Sequence, residues 1–343
     1  MDTPTDPSDQ SSASDSTTPA GFEALQGMEQ VTPLTIMSMF GRDGAGLHRA
    51  LRESQTCRLH VYDVATRSAT VIAEFENALY EAPNWSLDGT TLYVNGEGRL
   101  WAIPLDSPSS PRRVDFADVP AFNNDHVLDP AGDAIFLSAL DGQIYQGELD
   151  GSGIRRVTDQ DEIWHFLHGV SPDGGTLGFV QIIGAGTPSR LALIPAAGGE
   201  VTVVDTGDGA IDGPEWSPDG AWIYFNTERW ASAPGHAQLA RVPSGDPKPD
   251  NVERLLSTDT VDWFPHLSPD GKLAVYLQFP SGTVGHPEDT DVELVLVDPT
   301  DWSTPLERLP LLGGQGTINV NSWSPDSTRF AFFSYPYAVR PNP

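Results

Sequence analysis

Six short apolar runs recur between residues 92 and 333, and a turn rich in Asp, Pro and Gly precedes each of them. The runs occupy residues 92–94, 135–137, 177–180, 223–225, 274–277 and 330–333. Apolar runs this short that are bounded by turns are typical of β-strands buried on both faces, because a buried helix would need a longer apolar segment. The pattern therefore predicts a chain made of short, buried strands.

The turns share a sequence that is clearest in Ser171-Pro172-Asp173-Gly174. Pro at the second position fixes φ, Asp at the third can bond to nearby backbone, and Gly at the fourth tolerates positive φ. Related turns occupy residues 86–89, 129–132, 217–220, 268–271 and 324–327, so consecutive turns begin 42 to 56 residues apart. A propeller blade takes about 40–50 residues, so each turn marks one blade.

Two further strands are predicted after each of the first five turns. The third strands fit residues 100–105, 144–149, 191–194, 238–242 and 292–297, and the fourth strands fit 113–116, 155–158, 201–204, 253–256 and 307–311. The sixth turn has no such pair after it, but residues 58–64 and 69–72 match a third and a fourth strand that precede the first turn. The sequence thus predicts an all-β, six-bladed β-propeller with four antiparallel strands per blade. Strands from both ends of the chain close the last blade, which leaves no open edge.

The chain upstream of residue 57 differs in composition from the propeller, which is predicted to span residues 57–343. Residues 1–20 hold four Asp, many Ser and Thr and almost no large apolar side chain, so we expect a disordered acidic tail. Residues 21–56 form an N-terminal extension, in which a weak pattern predicts a short helix over residues 46–51.

The balance of charge limits the classes of partner. The 343 residues carry 48 acidic and 19 basic side chains, for a formal net charge of −29. Such a surface repels phosphate backbones and anionic lipids, so neither nucleic acid nor a membrane surface is an expected partner. The same composition suits a salt-adapted source as well as an acidic proteome.

The sequence also carries few features of secretion or of disulfide chemistry. Cys57 is the only cysteine, which excludes an intrachain disulfide and a Cys-based zinc site. The N-terminal residues lack a basic and apolar leader, and no run approaches the roughly 20 apolar residues of a membrane span. We therefore expect a cytoplasmic monomer.

The repeated motif resembles a known family. Trp or Phe before Ser-Pro-Asp-Gly, followed by alternating apolar residues, is similar to the TolB-like repeat, a WD40-like Pro-Asp repeat, over residues 57–334. Residues 81–85, 123–126, 263–266 and 313–320 resemble a stand-alone subgroup of this family. TolB itself has a signal peptide and an N-terminal α/β domain, which this sequence does not show, so a role in the Tol envelope system is not expected. Oligogalacturonate lyase, a TolB-like propeller with a His-bound manganese in its channel, is similar in architecture.

Three blades place a histidine just before the turn, where the innermost strand lines the channel. His126 and His168 each lie three residues before the turn, and His266 lies two residues before it. Because strand side chains alternate, His126 and His168 should point the same way, and His266 the other way unless a bulge intervenes. We consider these three as metal ligands, for Mn²⁺ or Zn²⁺ in preference to Ca²⁺. The alternative, that each histidine bonds to a neighbouring blade, stays open.

Four oxygen-bearing residues are candidates to complete the site: Asp125, Asp212, Glu215 and Gln315. His286, between Gly285 and Pro287, is assigned to a loop tip. The sequence singles out no catalytic residue.

Three functions remain open. The first is a binding module for a small polar ligand, such as a saccharide, with or without a metal. The second is a metal-dependent lyase on oligouronides or related sugars, in which a metal would neutralise the substrate carboxylate and a histidine or arginine would take the adjacent proton. The third is a protein-interaction scaffold, which would require an exposed apolar patch instead of a polar channel.

Overall fold

The computed structural model describes residues 31–184 and 186–338, which form one helix, a short 3-10 segment at Pro249–Asn251 and twenty-three strands. Numbered in chain order, these are α1 (Pro33–Phe40) and β1 to β23. Five sheets each contain four consecutive strands, and a sixth sheet joins β23 to β1 and β2, which is the order that a closed propeller requires. The prediction of a six-bladed β-propeller is therefore confirmed.

The first five blades are four-stranded antiparallel sheets. Blade 1 contains β3 (Glu81–Trp85), β4 (Thr91–Gly96), β5 (Arg99–Pro104) and β6 (Arg112–Val114), and blade 2 contains β7 (Phe122–Leu128), β8 (Ala134–Ala139), β9 (Ile144–Glu148) and β10 (Ile154–Arg156). Blade 3 contains β11 (Trp164–Val170), β12 (Thr176–Ile182), β13 (Arg190–Pro195) and β14 (Thr202–Val204), and blade 4 contains β15 (Ile211–Trp216), β16 (Trp222–Thr227), β17 (Gln238–Pro243) and β18 (Glu253–Arg254). Blade 5 contains β19 (Val261–Leu267), β20 (Ala274–Phe279), β21 (Thr290–Asp298) and β22 (Asp301–Gly313).

The sixth blade joins both ends of the propeller. Strand β23 (Arg329–Ser334) pairs with β1 (Cys57–Asp63), which in turn pairs with β2 (Ser68–Phe75). Residues 317–323 take the innermost position but form no regular strand. They contact β23 through an isolated bridge between Trp323 and Phe330 and through two backbone hydrogen bonds, from Ala331 N to Ser322 O and from Phe333 N to Thr317 O. The closure by N- and C-terminal strands is therefore confirmed, with an irregular innermost strand.

The repeated turn forms the hydrogen bonds that its sequence predicts. In blade 3, Ser171 Oγ donates to Asp173 Oδ1 at 2.6 Å, and the amide of Gly175 donates to the same oxygen at 2.9 Å. Gly174 has φ of +71°, a value that favours glycine. These bonds lower the pKa of Asp173, so the turn aspartate is ionised.

Large side chains fill the space between neighbouring blades. Trp216 of blade 4 packs against β12 of blade 3, where a Cβ on Gly178 would lie 2.6 Å from the indole. Phe136 and Phe179 are fully buried and belong to one cluster that spans blades 2 and 3. The second strand of each blade is thus covered on both faces, as its continuous apolar sequence predicts.

The N-terminal extension crosses the face of the propeller at which the innermost strands begin. Ile36 of α1 packs with Leu140 of blade 2 and Trp164 of blade 3, and Arg49 reaches blades 1 and 5 further along. The predicted helix over residues 46–51 is wrong, because residues 41–48 form turns. The helix begins instead at Pro33, where Thr32 forms a capping box and Pro occupies the first position.

Two further predictions concern the N-terminal tail and membrane-spanning segments. The predicted disordered tail, residues 1–20, lies outside the described residues, as does the start of the extension. Within the described ranges, no helix has the length and apolar character that a membrane span needs.

A histidine–carboxylate cluster at the channel mouth

Each of the first five innermost strands contains a register shift. The shifts lie between Glu81 and Asn84, Phe122 and His126, Leu167 and Gly169, Asp212 and Glu215, and Trp263 and His266. A β-bulge adds an unpaired residue and redirects the side chains beside it. These five bulges therefore decide which polar side chains enter the central channel.

His168 lies inside the bulge of β11 and is the centre of the site. Its Nε2 lies 3.0 Å from Asp212 Oδ1 on blade 4 and 3.9 Å from Asp125 Oδ1 on blade 2. Its Nδ1 lies 3.2 Å from the carbonyl oxygen of Asn319 on blade 6. Blades 3 and 6 are opposite each other in the ring, so this contact places His168 on the channel axis.

The environment of His168 favours the protonated ring. Burial has the largest single effect and lowers the pKa, but the carboxylates of Asp125 and Asp212 together outweigh it and raise the pKa to about 9. Burial also acts on Asp212, yet the hydrogen bond from His168 prevails and lowers its pKa. Asp125, which is further from the ring, has its pKa raised by burial. The His168–Asp212 pair is therefore ionic at neutral pH.

Residues 280–289, the mouth loop between β20 and β21, cover this pair. His286 in the loop forms a hydrogen bond through Nδ1 to Gln315 Oε1, and its Nε2 lies 3.8 Å from Asp212 Oδ2. The imidazole of His286 also packs against the ring of Trp263, with centroids 4.5 Å apart. The amide of Gln315 donates to Asn124 Oδ1 at 3.2 Å, while the buried Asn124 Nδ2 has no partner. Asp125, His168, Asp212, His286 and Gln315 form one cluster, here called the mouth cluster.

The prediction that His286 lies at a loop tip is wrong, because this residue lies at the channel mouth. The mouth loop folds back over the channel instead of extending from the rim, so its histidine reaches blade 6 and blade 4 at once. The direction of a ten-residue loop depends on tertiary contacts, which the spacing of residues in the sequence does not show.

Glu215 and His266 form a second, deeper pair. His266 Nδ1 lies 2.5 Å from Glu215 Oε2, and Nε2 lies 2.8 Å from the carbonyl oxygen of Ile318. Asn321 Nδ2 donates to the other carboxylate oxygen, Glu215 Oε1, at 2.5 Å. The ring of Phe264 stacks with His168 at 5.6 Å and with His266 at 6.4 Å, so it separates this pair from the mouth cluster. Both predicted residues thus line the channel, but they do not meet Asp125 or Asp212.

His126 bonds to a neighbouring blade, which is the alternative to metal binding that the sequence left open. Its Nε2 lies 3.2 Å from the carbonyl oxygen of Tyr93 on blade 1, and burial lowers the pKa of the ring to about 4. The expectation that His126 and His168 point the same way is wrong, because the two strands bulge at different positions. His126 lies after the bulge of β7 and pairs with Leu137, whereas His168 is itself the bulged residue.

The three histidines therefore do not form a common ligand set. His126, His168 and His266 each face different partners, and no group of three or more His, Cys, Asp or Glu side chains in residues 31–184 and 186–338 is arranged to hold a metal ion. His168 Nε2 is paired with Asp212, and His286 Nδ1 is paired with Gln315. The residues present do not fit a three-histidine Mn²⁺ or Zn²⁺ centre.

Comparison with known proteins places this architecture in a family. No protein-family model matches the chain. An uncharacterized protein of Agrobacterium fabrum is 34% identical over 286 residues, which cover 82% of this chain and 93% of that protein. The solved structure of a TolB candidate from Agrobacterium tumefaciens is 34% identical, has a TM-score of 0.74, and matches 82% of this chain and 99% of that one.

The chain belongs to the TolB-like β-propeller family. The resemblance of its repeats to those of TolB is thereby confirmed. A more distant match, a chain of a nidogen–laminin complex, has a TM-score of 0.54 and 10% identity, and the match covers 83% of this chain and 100% of that chain. That likeness concerns the fold alone.

Proposed function

We propose that this TolB-like propeller is a binding module whose channel mouth takes a small, neutral, hydroxyl-rich ligand, a class that includes saccharides. The observation that carries the proposal is the 3.8 Å gap between His286 Nε2 and Asp212 Oδ2. This gap is too long for a direct hydrogen bond and suits a bridging oxygen. A hydroxyl group can accept from the imidazole and donate to the carboxylate.

The charges around the gap favour a neutral ligand. The positive ring of His168 offsets the carboxylate of Asp212, so the site does not need a charged ligand for compensation. The imidazole of His286 and the carboxylate of Asp212 place a donor and an acceptor on the two sides of the gap. Donors and acceptors in close proximity recognise hydroxyl groups, because each hydroxyl can both donate and accept.

Titration calorimetry with neutral mono- and disaccharides tests the proposal. His286→Ala should weaken binding by about tenfold, since it removes one hydrogen bond of about 1–1.5 kcal/mol. The matched control is His60→Ala, because His60 lies on β1 and bonds to Ser334 away from the mouth. Equal affinity in the wild type and in His286→Ala would refute the assignment of the site.

The lyase alternative needs a different kind of site and a different ligand. It requires a bound divalent metal and a charged uronide, and the paired donors at the mouth offer no ready ligand set. Elemental analysis of protein purified without chelator separates the two functions. Stoichiometric Mn²⁺ or Zn²⁺ that is lost in Asp212→Asn, together with uronide cleavage, would favour the lyase and contradict a metal-free saccharide site.

A further inference from the structure

The inner part of the mouth cluster is closed to solvent. The side chains of His168 and Asp125 are only 4% and 7% exposed, whereas Asp212 and His286 are 20% and 28% exposed. A ligand at the mouth therefore meets Asp212 and His286 first. Because His168 is buried and the mouth loop places His286 beside Asp212, the ion-pair partner of His168, contact with His168 requires that the loop moves.

The N-terminal extension binds the mouth loop at its C-terminal end. Asp289 accepts from Arg49 Nη2 at 2.7 Å, from Arg52 Nε at 2.9 Å and from Gln55 Nε2 at 2.6 Å. Glu288 pairs with Arg52 Nη2 at 2.8 Å and with Arg49 Nε at 3.1 Å. Two successive loop carboxylates thus bind three side chains of one seven-residue segment.

Arg49 also holds the opposite wall of the mouth. Its Nη1 donates to the carbonyl oxygen of Gln315 at 2.8 Å, and its guanidinium lies 3.9 Å from the centre of the Tyr335 ring. The same nitrogen lies 3.4 Å from Glu81 of blade 1. Arg49 therefore joins the loop that carries His286 to the segment that carries Gln315.

The other end of the mouth loop is largely exposed, although Thr283 and Val284 lie against Gly235 in the connection between β16 and β17. Gly282 and Gly285 have φ of +84° and +67°, and no atom lies within 4 Å of a Cβ built on either residue. Val284 between them is 69% exposed. A loop with glycines in open space at one end and ion pairs at the other can open once those pairs break.

We propose that residues 49–55 form a latch that keeps the mouth loop closed over the channel and so controls access to the mouth cluster. The inference rests on the proposed function for its purpose, but the latch itself is independent of any ligand. Arg52 is the adjustable part, because its side chain is half exposed and its pairs are open to salt. Arg49 is the buried anchor.

Hydrogen exchange of the full chain without ligand tests the latch. Arg52→Gln should raise the exchange rate of amides in residues 280–289 by about two- to fivefold, the range expected for loss of a partly exposed ion pair. Exchange in β20 should stay unchanged, which shows that only the loop opens. Arg49→Gln should have a larger effect, and if that variant fails to fold, Arg52→Gln decides alone.

Arg241→Gln is the matched control, since Arg241 makes a similar partly exposed pair with Glu253 on blade 4, away from the mouth. Unchanged loop exchange in Arg52→Gln, or equal acceleration in Arg241→Gln, would overturn the latch. Because no ligand is present, failure here is distinct from failure to bind saccharides.

Discussion

Raising the pH should weaken the propeller through His168. The groups that face its ring are the carboxylates of Asp125 and Asp212, the carbonyl of Asn319 and the ring of Phe264, with His286 beyond Asp212. The two carboxylates raise the pKa in the folded protein to about 9, against an ordinary value of 6.5. A difference of about 2.5 units at about 1.36 kcal/mol per unit corresponds to about 3 kcal/mol of stability.

The sign follows from the direction of the shift. The folded state holds the proton more tightly than the unfolded state, so the stabilisation is fully present below about pH 6.5. It declines as the pH rises and is lost above about pH 9. Glu81, whose pKa burial raises to about 7, titrates in part of the same range, so a difference between two variants is needed to isolate His168.

Urea unfolding of the wild type and of His168→Gln at intervals from pH 6 to pH 9.5 provides that difference. The free energy of unfolding of the wild type minus that of the variant should be about 3 kcal/mol larger at pH 6 than at pH 9.5. His126→Gln is the control, because burial lowers the pKa of His126 to about 4 and its contribution is lost on the acid side. A difference between the wild type and His168→Gln that stays constant with pH would refute the ionic pair.

Two further substitutions test the packing around the site. Arg49→Met should lower the free energy of unfolding by about 3–5 kcal/mol, because it leaves Glu81 buried without its positive partner. Adding Glu81→Gln to this variant should recover part of the loss in the same urea assay. Gly178→Ala should lower the free energy of unfolding by about 1–3 kcal/mol, because the added methyl group overlaps with Trp216. Gly245→Ala is the control and should change the midpoint of unfolding little, because a Cβ at this position meets no atom. Equal effects of the two substitutions would contradict the close contact between blades.

Much of the fold could be predicted because the turn repeats. A Ser-Pro-Asp-Gly turn forces a reversal at a known residue, and the apolar run after it must be the next strand. The predicted run 223–225, for example, lies within β16, and 58–64 overlaps β1. The predicted strand ends differ from the observed ones by a few residues, because pairing with the neighbouring strand determines where each strand stops. The helix was misplaced because the capping box at Thr32 is a stronger start signal than the weak pattern near residue 46.

The site was harder to predict because its geometry depends on bulges. His126 and His168 occupy the same place in the repeat, yet one is paired and the other bulged, and the two face different blades. A bulge one residue earlier or later changes the direction of a side chain without changing the hydrophobic pattern. Asp125 and Asp212 could be selected as channel residues, but their common partner could not be identified from spacing.

Two of the channel histidines also stabilise the irregular innermost segment of blade 6. Residues 317–323 form an isolated bridge and two backbone hydrogen bonds to β23 instead of a regular ladder, and side chains add further contacts. His168 bonds to the carbonyl of Asn319, His266 bonds to the carbonyl of Ile318, and Asn84 bonds to the carbonyl of Asn321. The segment at which the ring closes is thus held from blades 1, 3 and 5 through the channel. Because His168 belongs both to this closure and to the mouth cluster, a ligand that strengthens its pair with Asp212 should also stabilise the closed ring.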